Sequence, residues 1–98
     1  MEHHRIMVVG CNVMTVQRVS RYCLKLGAKV FPSYGLPTAE EVTLFTPEVS
    51  VLCLPVPESF LRQISQPYIL WSEHPLNIGL PLVYSYTELE AHIRDRLK

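Results

Sequence analysis

Pro47-Glu-Val-Ser-Val-Leu-Cys-Leu-Pro-Val-Pro57 is the stretch that decides the fold of this 98-residue chain. From Val49 to Leu54 it is almost continuously apolar, and prolines bound it on both sides. A strand with one wet face alternates, whereas an unbroken apolar run of this length marks a strand covered on both faces. Such strands belong to parallel sheets, and parallel sheets need crossover helices.

Working outward, Arg5 to Gly10 repeats the pattern with Ile6, Met7, Val8 and Val9. Val16, Val19, Cys23 and Leu26 then recur at helical spacing with polar residues between them, and Gly27 supplies the stop. Ala28 to Pro32 reads as a second strand, followed by a turn at Ser33, Tyr34 and Gly35. Thr38 with Glu41 forms a capping-box pattern, predicting a helix over Thr38 to Phe45 with Ala39, Val42 and Phe45 inward. After the central strand, Pro57 fits the first turn of another short helix with Phe60, Leu61 and Ile64 as its apolar face. Tyr68 to Ser72 is a fourth strand and Leu82 to Tyr84 a weak fifth. Between them, Glu73 to Pro81 holds two prolines and a glycine, too broken for a crossover helix. A second capping-box pattern, Ser85 with Glu88, opens a closing helix lined by Leu89, Ile93 and Leu97, with Glu90 and Arg94 paired outside. The expectation is one domain over residues 1–98: a three-layer α/β sandwich of the flavodoxin type, its five-stranded parallel sheet ordered 2-1-3-4-5, with a loop replacing the fourth helix.

Composition narrows the function. Nine basic and nine acidic residues cancel and are interspersed, which argues against nucleic-acid binding, because neutralising a phosphate backbone needs clustered Lys and Arg. No apolar run approaches the roughly 20 residues of a membrane span. Three cysteines, at 11, 23 and 53, with no CxxC spacing suit neither a disulfide framework nor a zinc ribbon. A cytoplasmic domain is expected. The GxGxxG fingerprint of dinucleotide binding is absent. His3 and His4 read as a frayed terminus.

In Arg5-Ile-Met-Val-Val-Gly-Cys-Asn12, Gly27-Ala-Lys-Val30 and Pro47 to Pro57 the chain resembles a response-regulator receiver domain. Receivers carry an acidic pair after the first strand, where this chain has Gly10 and Cys11, and a phospho-accepting aspartate at the end of the third, where Cys53 stands. Ser72 alone agrees, at the switch Ser or Thr position. Tyr84 and Ser85 occupy the stretch of the lysine that ends the fifth strand in receivers. The one aspartate of the chain, Asp95, lies near its end, and hard cations such as magnesium need carboxylate oxygens. The sequence is similar to degenerate receiver-like domains of hybrid sensor kinases and to the alpha/beta/loop domains of Rcs-type phosphorelays. That resemblance implies a non-catalytic module that docks a response regulator or histidine kinase, with no cofactor, no metal and no membrane contact.

Cys11 directly after the first strand also suits the phosphocysteine of lactose- and cellobiose-type phosphotransferase-system IIB components, the alternative reading. Against it stands the bulky loop Asn12-Val-Met-Thr-Val16, since a phosphate cradle favours small residues. Cys11 and Cys53 are otherwise expected to be small buried hydrophobes. Val13, Met14, Pro55, Val56, Pro57, Leu76 and Ile78 are apolar residues in loops that normally face solvent, the mark of a partner surface. Leu76, Ile78 and Leu80 have a second reading, as cover for the sheet where a helix is missing. Arg18 and Arg21 on the first helix are expected to help by pairing with an acidic partner.

Overall fold

The computed structural model describes residues 4–74, 79 and 82–97. Four strands, β1 (Arg5–Gly10), β2 (Lys29–Tyr34), β3 (Val49–Cys53) and β4 (Tyr68–Trp71), form one parallel sheet in the order β2-β1-β3-β4. Helices α1 (Val13–Lys25), α2 (Ala39–Phe45), α3 (Glu58–Gln63) and α4 (Tyr86–Arg96) complete the described elements. In the central strands β1 and β3 the residues Ile6 to Val9 and Val49 to Cys53 are all buried, as double-sided cover requires.

The expected fifth strand is reduced to a single parallel bridge. The Val83 N–H donates to the Leu70 carbonyl at 2.9 Å, the Ser72 N–H donates to the Val83 carbonyl at 3.0 Å, and the pairing goes no further among the described residues. A ladder extended one step further back would call on an N–H from residue 81, and a proline has none. The Tyr68 carbonyl, which such an N–H would meet, is taken by the Arg96 guanidinium at 3.2 Å. Ser72, Glu73, His74, Gly79 and Leu82 are not helical. The other residues of the expected replacement loop, with Leu76, Ile78 and Leu80, lie outside the described residues.

Local chemistry sets the helix ends. The Asn12 side chain accepts the Thr15 N–H at 3.2 Å and starts α1. At α2 the capping box of Thr38 and Glu41 is present in both directions, at 3.1 and 2.9 Å. Thr46 ends α2 in a left-handed conformation. At α4 the Ser85 hydroxyl accepts the Glu88 N–H, but the Glu88 carboxylate meets that hydroxyl and not the Ser85 backbone. The second box is therefore a simple cap. Pro57 is an extended N-cap of α3, outside its first turn.

Two cores lie on opposite faces of the sheet. Ile6, Val8, Val49, Val51 and Cys53 pack with Val16, Val19 and Cys23 of α1 and with Leu89 and Ile93 of α4. Met7, Val9, Leu52 and Leu70 carry the other core, covered by half-buried Val42, Phe45, Phe60, Leu61 and Ile64 of α2 and α3. Ala39, expected inward, is exposed. His4 is no frayed end: its ring pairs with Glu48 at 2.9 Å, and that carboxylate also accepts the Arg5 backbone N–H at 3.2 Å.

Candidate functional site

In a parallel α/β sheet, loops after the carboxyl ends of the strands form the natural binding edge. Here that edge is sealed between β1 and β3. A Cβ built on Gly10 would lie 2.9 Å from both the Cys53 Cβ and a Val16 methyl, closer than real side chains approach. Gly10 is thus required by close packing of two strands and α1. Cys53 is 2% exposed, and burial pushes its thiol up to about 12, as it does for Cys23. A nucleophile or metal ligand needs the thiolate, so both act as small hydrophobes. Cys11 departs from the expectation of burial and is exposed. It is the one residue between the end of β1 and the Asn12 cap, so the turn leaves no room to tuck it inside.

Beyond the seal, α1 is tied to the residue after Ser72. The Glu73 carboxylate accepts from the Thr15 hydroxyl at 3.1 Å and pairs with the Arg18 guanidinium. The Arg18 hydrogen bond holds the Glu73 carboxyl below its ordinary range, outweighing the opposing effect of burial, with Thr15 adding a smaller pull in the same direction. Ser72 is buried; its hydroxyl donates to the His74 carbonyl at 2.7 Å and accepts the His74 N–H at 3.2 Å. The residue that matches the receiver switch position is therefore spent on a local turn. Trp71, which ends β4, is core at 3% exposed.

Around the seal the surface is apolar. Val13 and Met14 at the start of α1 are 48% and 58% exposed, and Pro55 and Pro57 are exposed too. Val56 is half-buried against the α2 and α3 core, so it is partly structural. Arg18 and Arg21 are exposed on α1 as expected, although Glu73 already engages Arg18. Leu76 and Ile78 are outside the described residues. Tyr34 and Leu36, 52% and 47% exposed, join this edge and were missed in the sequence. Tyr34 was read as an ordinary turn residue, yet it ends β2 level with Gly10. Among the described residues no three His, Cys, Asp or Glu side chains converge as a metal site would require, and no helix is long and apolar enough to cross a membrane.

No protein-family model and no curated protein sequence matches the chain. Solved structures do. The N-terminal domain of the nisin resistance regulator NsrR, a lantibiotic response regulator, superimposes with a TM-score of 0.67 at 16% identity, over 99% of this chain and 100% of that one. A response regulator receiver domain protein from Bacillus halodurans C-125 gives 0.61 at 16% identity, over 97% of both chains. The chain has a receiver-like α/β fold, with four parallel strands ordered 2-1-3-4 where five were expected.

Proposed function

We propose that this chain is a non-catalytic, receiver-like module that docks a response regulator or a histidine kinase of a bacterial two-component phosphorelay. The observation that carries the reading is the sealed edge on a receiver-like fold. Gly10, Cys53 and Val16 fill the place between β1 and β3, and no side chain among them offers a carboxylate oxygen or an ionised acceptor. With phosphoryl chemistry unsupported there, what the edge offers is shape and apolar area: Val13, Met14, Tyr34, Leu36, Pro55 and Pro57. Burying such side chains against a partner is worth about 25 cal/mol per Å² of apolar area before the costs of association.

Two measurements test it. Incubation with labelled acetyl phosphate and magnesium should leave the chain unlabelled, and stoichiometric labelling lost in Cys53→Ser would sink the reading. In two-dimensional NMR titrations with candidate response regulators and kinase domains, shifts should cluster on the loops after β1, β2 and β3. Met14→Asp should weaken that binding without unfolding the chain, because a charge on the exposed first turn of α1 costs little in water and much when desolvated. Binding by no regulator or kinase would defeat the proposal.

The exposure of Cys11 directly after β1 favours a second reading, a IIB-like phosphocarrier. The Asn12 side chain already occupies the Thr15 N–H, one of the helix N-terminal donors a phosphate would use. Labelling by a phosphocarrier protein, lost in Cys11→Ser, would select this reading over docking.

A further inference from the structure

We infer that the groove between α1 and the first turn of α4 is a separate contact surface that takes an acidic polypeptide segment of the partner. The inference rests on the docking reading and adds the chemistry of what is docked. The groove, about 210 Å³, is lined by Arg18, Arg21, Tyr22, Lys25 and Tyr86. α1 contributes three basic residues and no acidic one. Both carboxylates that border the groove are engaged: Glu73 by Arg18 and Thr15, Glu90 by Arg94 at 3.0 Å and by the Tyr22 hydroxyl at 3.0 Å. Arg21 and Lys25 have no acidic partner among the described residues. One helical turn apart, they share a face of α1.

The aromatic floor beside these cations is already fixed. The Tyr86 ring stacks on Trp71 at 5.0 Å and on Tyr22 at 4.7 Å, with interplanar angles of 25° and 27°. Trp71 is buried, so the stack is anchored in the core and little ordering remains for a partner to impose. Tyrosine and arginine around a rigid depression match the composition of binding hot spots. Two uncompensated cations are too few to follow a nucleic-acid backbone. They suit two carboxylates one helical turn apart on a polypeptide, with an apolar or aromatic side chain between them to lie on Tyr86. The attraction would steer association and weaken with salt.

The test uses a fluorescent helical peptide with glutamates at i and i+4 flanking a leucine, and a single-stranded oligodeoxynucleotide of the same net charge. The peptide should bind more tightly than the oligonucleotide and lose affinity with added salt. It should shift the Arg21, Tyr22, Lys25 and Tyr86 resonances, and Arg21→Glu with Lys25→Glu should weaken it at least about tenfold. Arg21→Gln with Lys25→Gln, checked for fold by circular dichroism, should lower affinity by a smaller factor, and Leu44→Asp, on exposed α2 across the sheet, should leave peptide binding unchanged. Absence of peptide binding, tighter binding of the oligonucleotide, or shifts elsewhere would overturn the inference. If a regulator or kinase binds and the charge-reversed pair leaves its affinity intact while Met14→Asp abolishes it, this groove is excluded and docking stands. If the peptide binds and no regulator or kinase does, docking fails and the acidic-segment site stands.

Discussion

On one side of the sheet α1 and α4 bury Val16, Val19, Cys23, Leu89 and Ile93 almost completely, while on the other α2 and α3 contribute no fully buried residue. Length accounts for much of the difference. Helices of 13 and 11 residues present three turns or more of apolar stripe, whereas helices of 7 and 6 residues present less than two. The second face is covered by half-exposed Val42, Phe45, Phe60 and Ile64, with Leu44 left 77% exposed. A groove of about 330 Å³ remains between α2 and α3. The α1 and α4 side is therefore a fixed frame and the α2 and α3 side a looser cover, for sparse apolar burial is what lowers local stability.

Thiol chemistry should separate the two faces most widely. Cys23 and Cys53 sit in the tight core with thiols pushed up to about 12, so only opening of that core exposes them to a reagent. Their modification at neutral pH should run at least about a thousandfold slower than that of exposed Cys11, since core opening costs on the order of the global stability. In a Cys11→Ser background, Val42→Cys should react at an intermediate rate. Equal protection at positions 42 and 53 would erase the distinction between the faces.

Truncation should give the next largest contrast. Ile93→Ala, at a fully buried site, should cost about 2–5 kcal/mol in denaturant unfolding. Val42→Ala removes two methyls from a half-exposed side chain and should cost about 1 kcal/mol. Overpacking should run the same way with smaller amplitudes. Gly10→Ala forces its methyl into Cys53 and Val16 and should cost about 1–3 kcal/mol. Ala39→Leu extends over the open groove beside α2 and should stay within about 0.5 kcal/mol of the parent.

The same asymmetry decided what could be read from the sequence. Val49 to Cys53, Ile6 to Val9 and the Val16, Val19, Cys23 stripe were legible because full burial forces an unbroken or strictly periodic apolar pattern. The Thr38 and Glu41 box was legible because its chemistry is local. Ala39 misled, since a helix of less than two full turns gives too few residues to fix its inward side. The fifth strand misled as well: Leu82 to Tyr84 has the composition of a strand, but its pairing depends on a ladder that the proline at 81 cannot extend. At the site, Val13 and Met14 stood out as apolar residues of a solvent-facing loop, although they form the first turn of α1, whereas the Glu73 tie to Thr15 and Arg18 spans more than fifty residues of chain and leaves no local signal. The exposure of Cys11 followed from turn geometry, which residue type alone does not carry.

The smallest effect belongs to that tie, and it tests whether the loop after β4 moves with the fixed frame. Hydrogen bonding from Arg18, and then from Thr15, holds the Glu73 carboxyl below its ordinary value of 4.5, so folding favours the ionised form. The contribution is complete above that ordinary value and is lost as pH falls through the lower, folded value. Because both partners are largely exposed, solvent and salt screen the pair and the gain is modest. Glu73→Gln keeps the shape, removes the charge and should lower stability slightly at neutral pH, the difference from the parent closing as pH falls below 4.5, so that this part of the acid-unfolding curve is flatter. High salt should reproduce part of that flattening in the parent chain and none of it in the variant. An acid branch identical in parent and variant would mean that the Glu73 loop is coupled to α1 only by packing, and the frame would then end at Trp71.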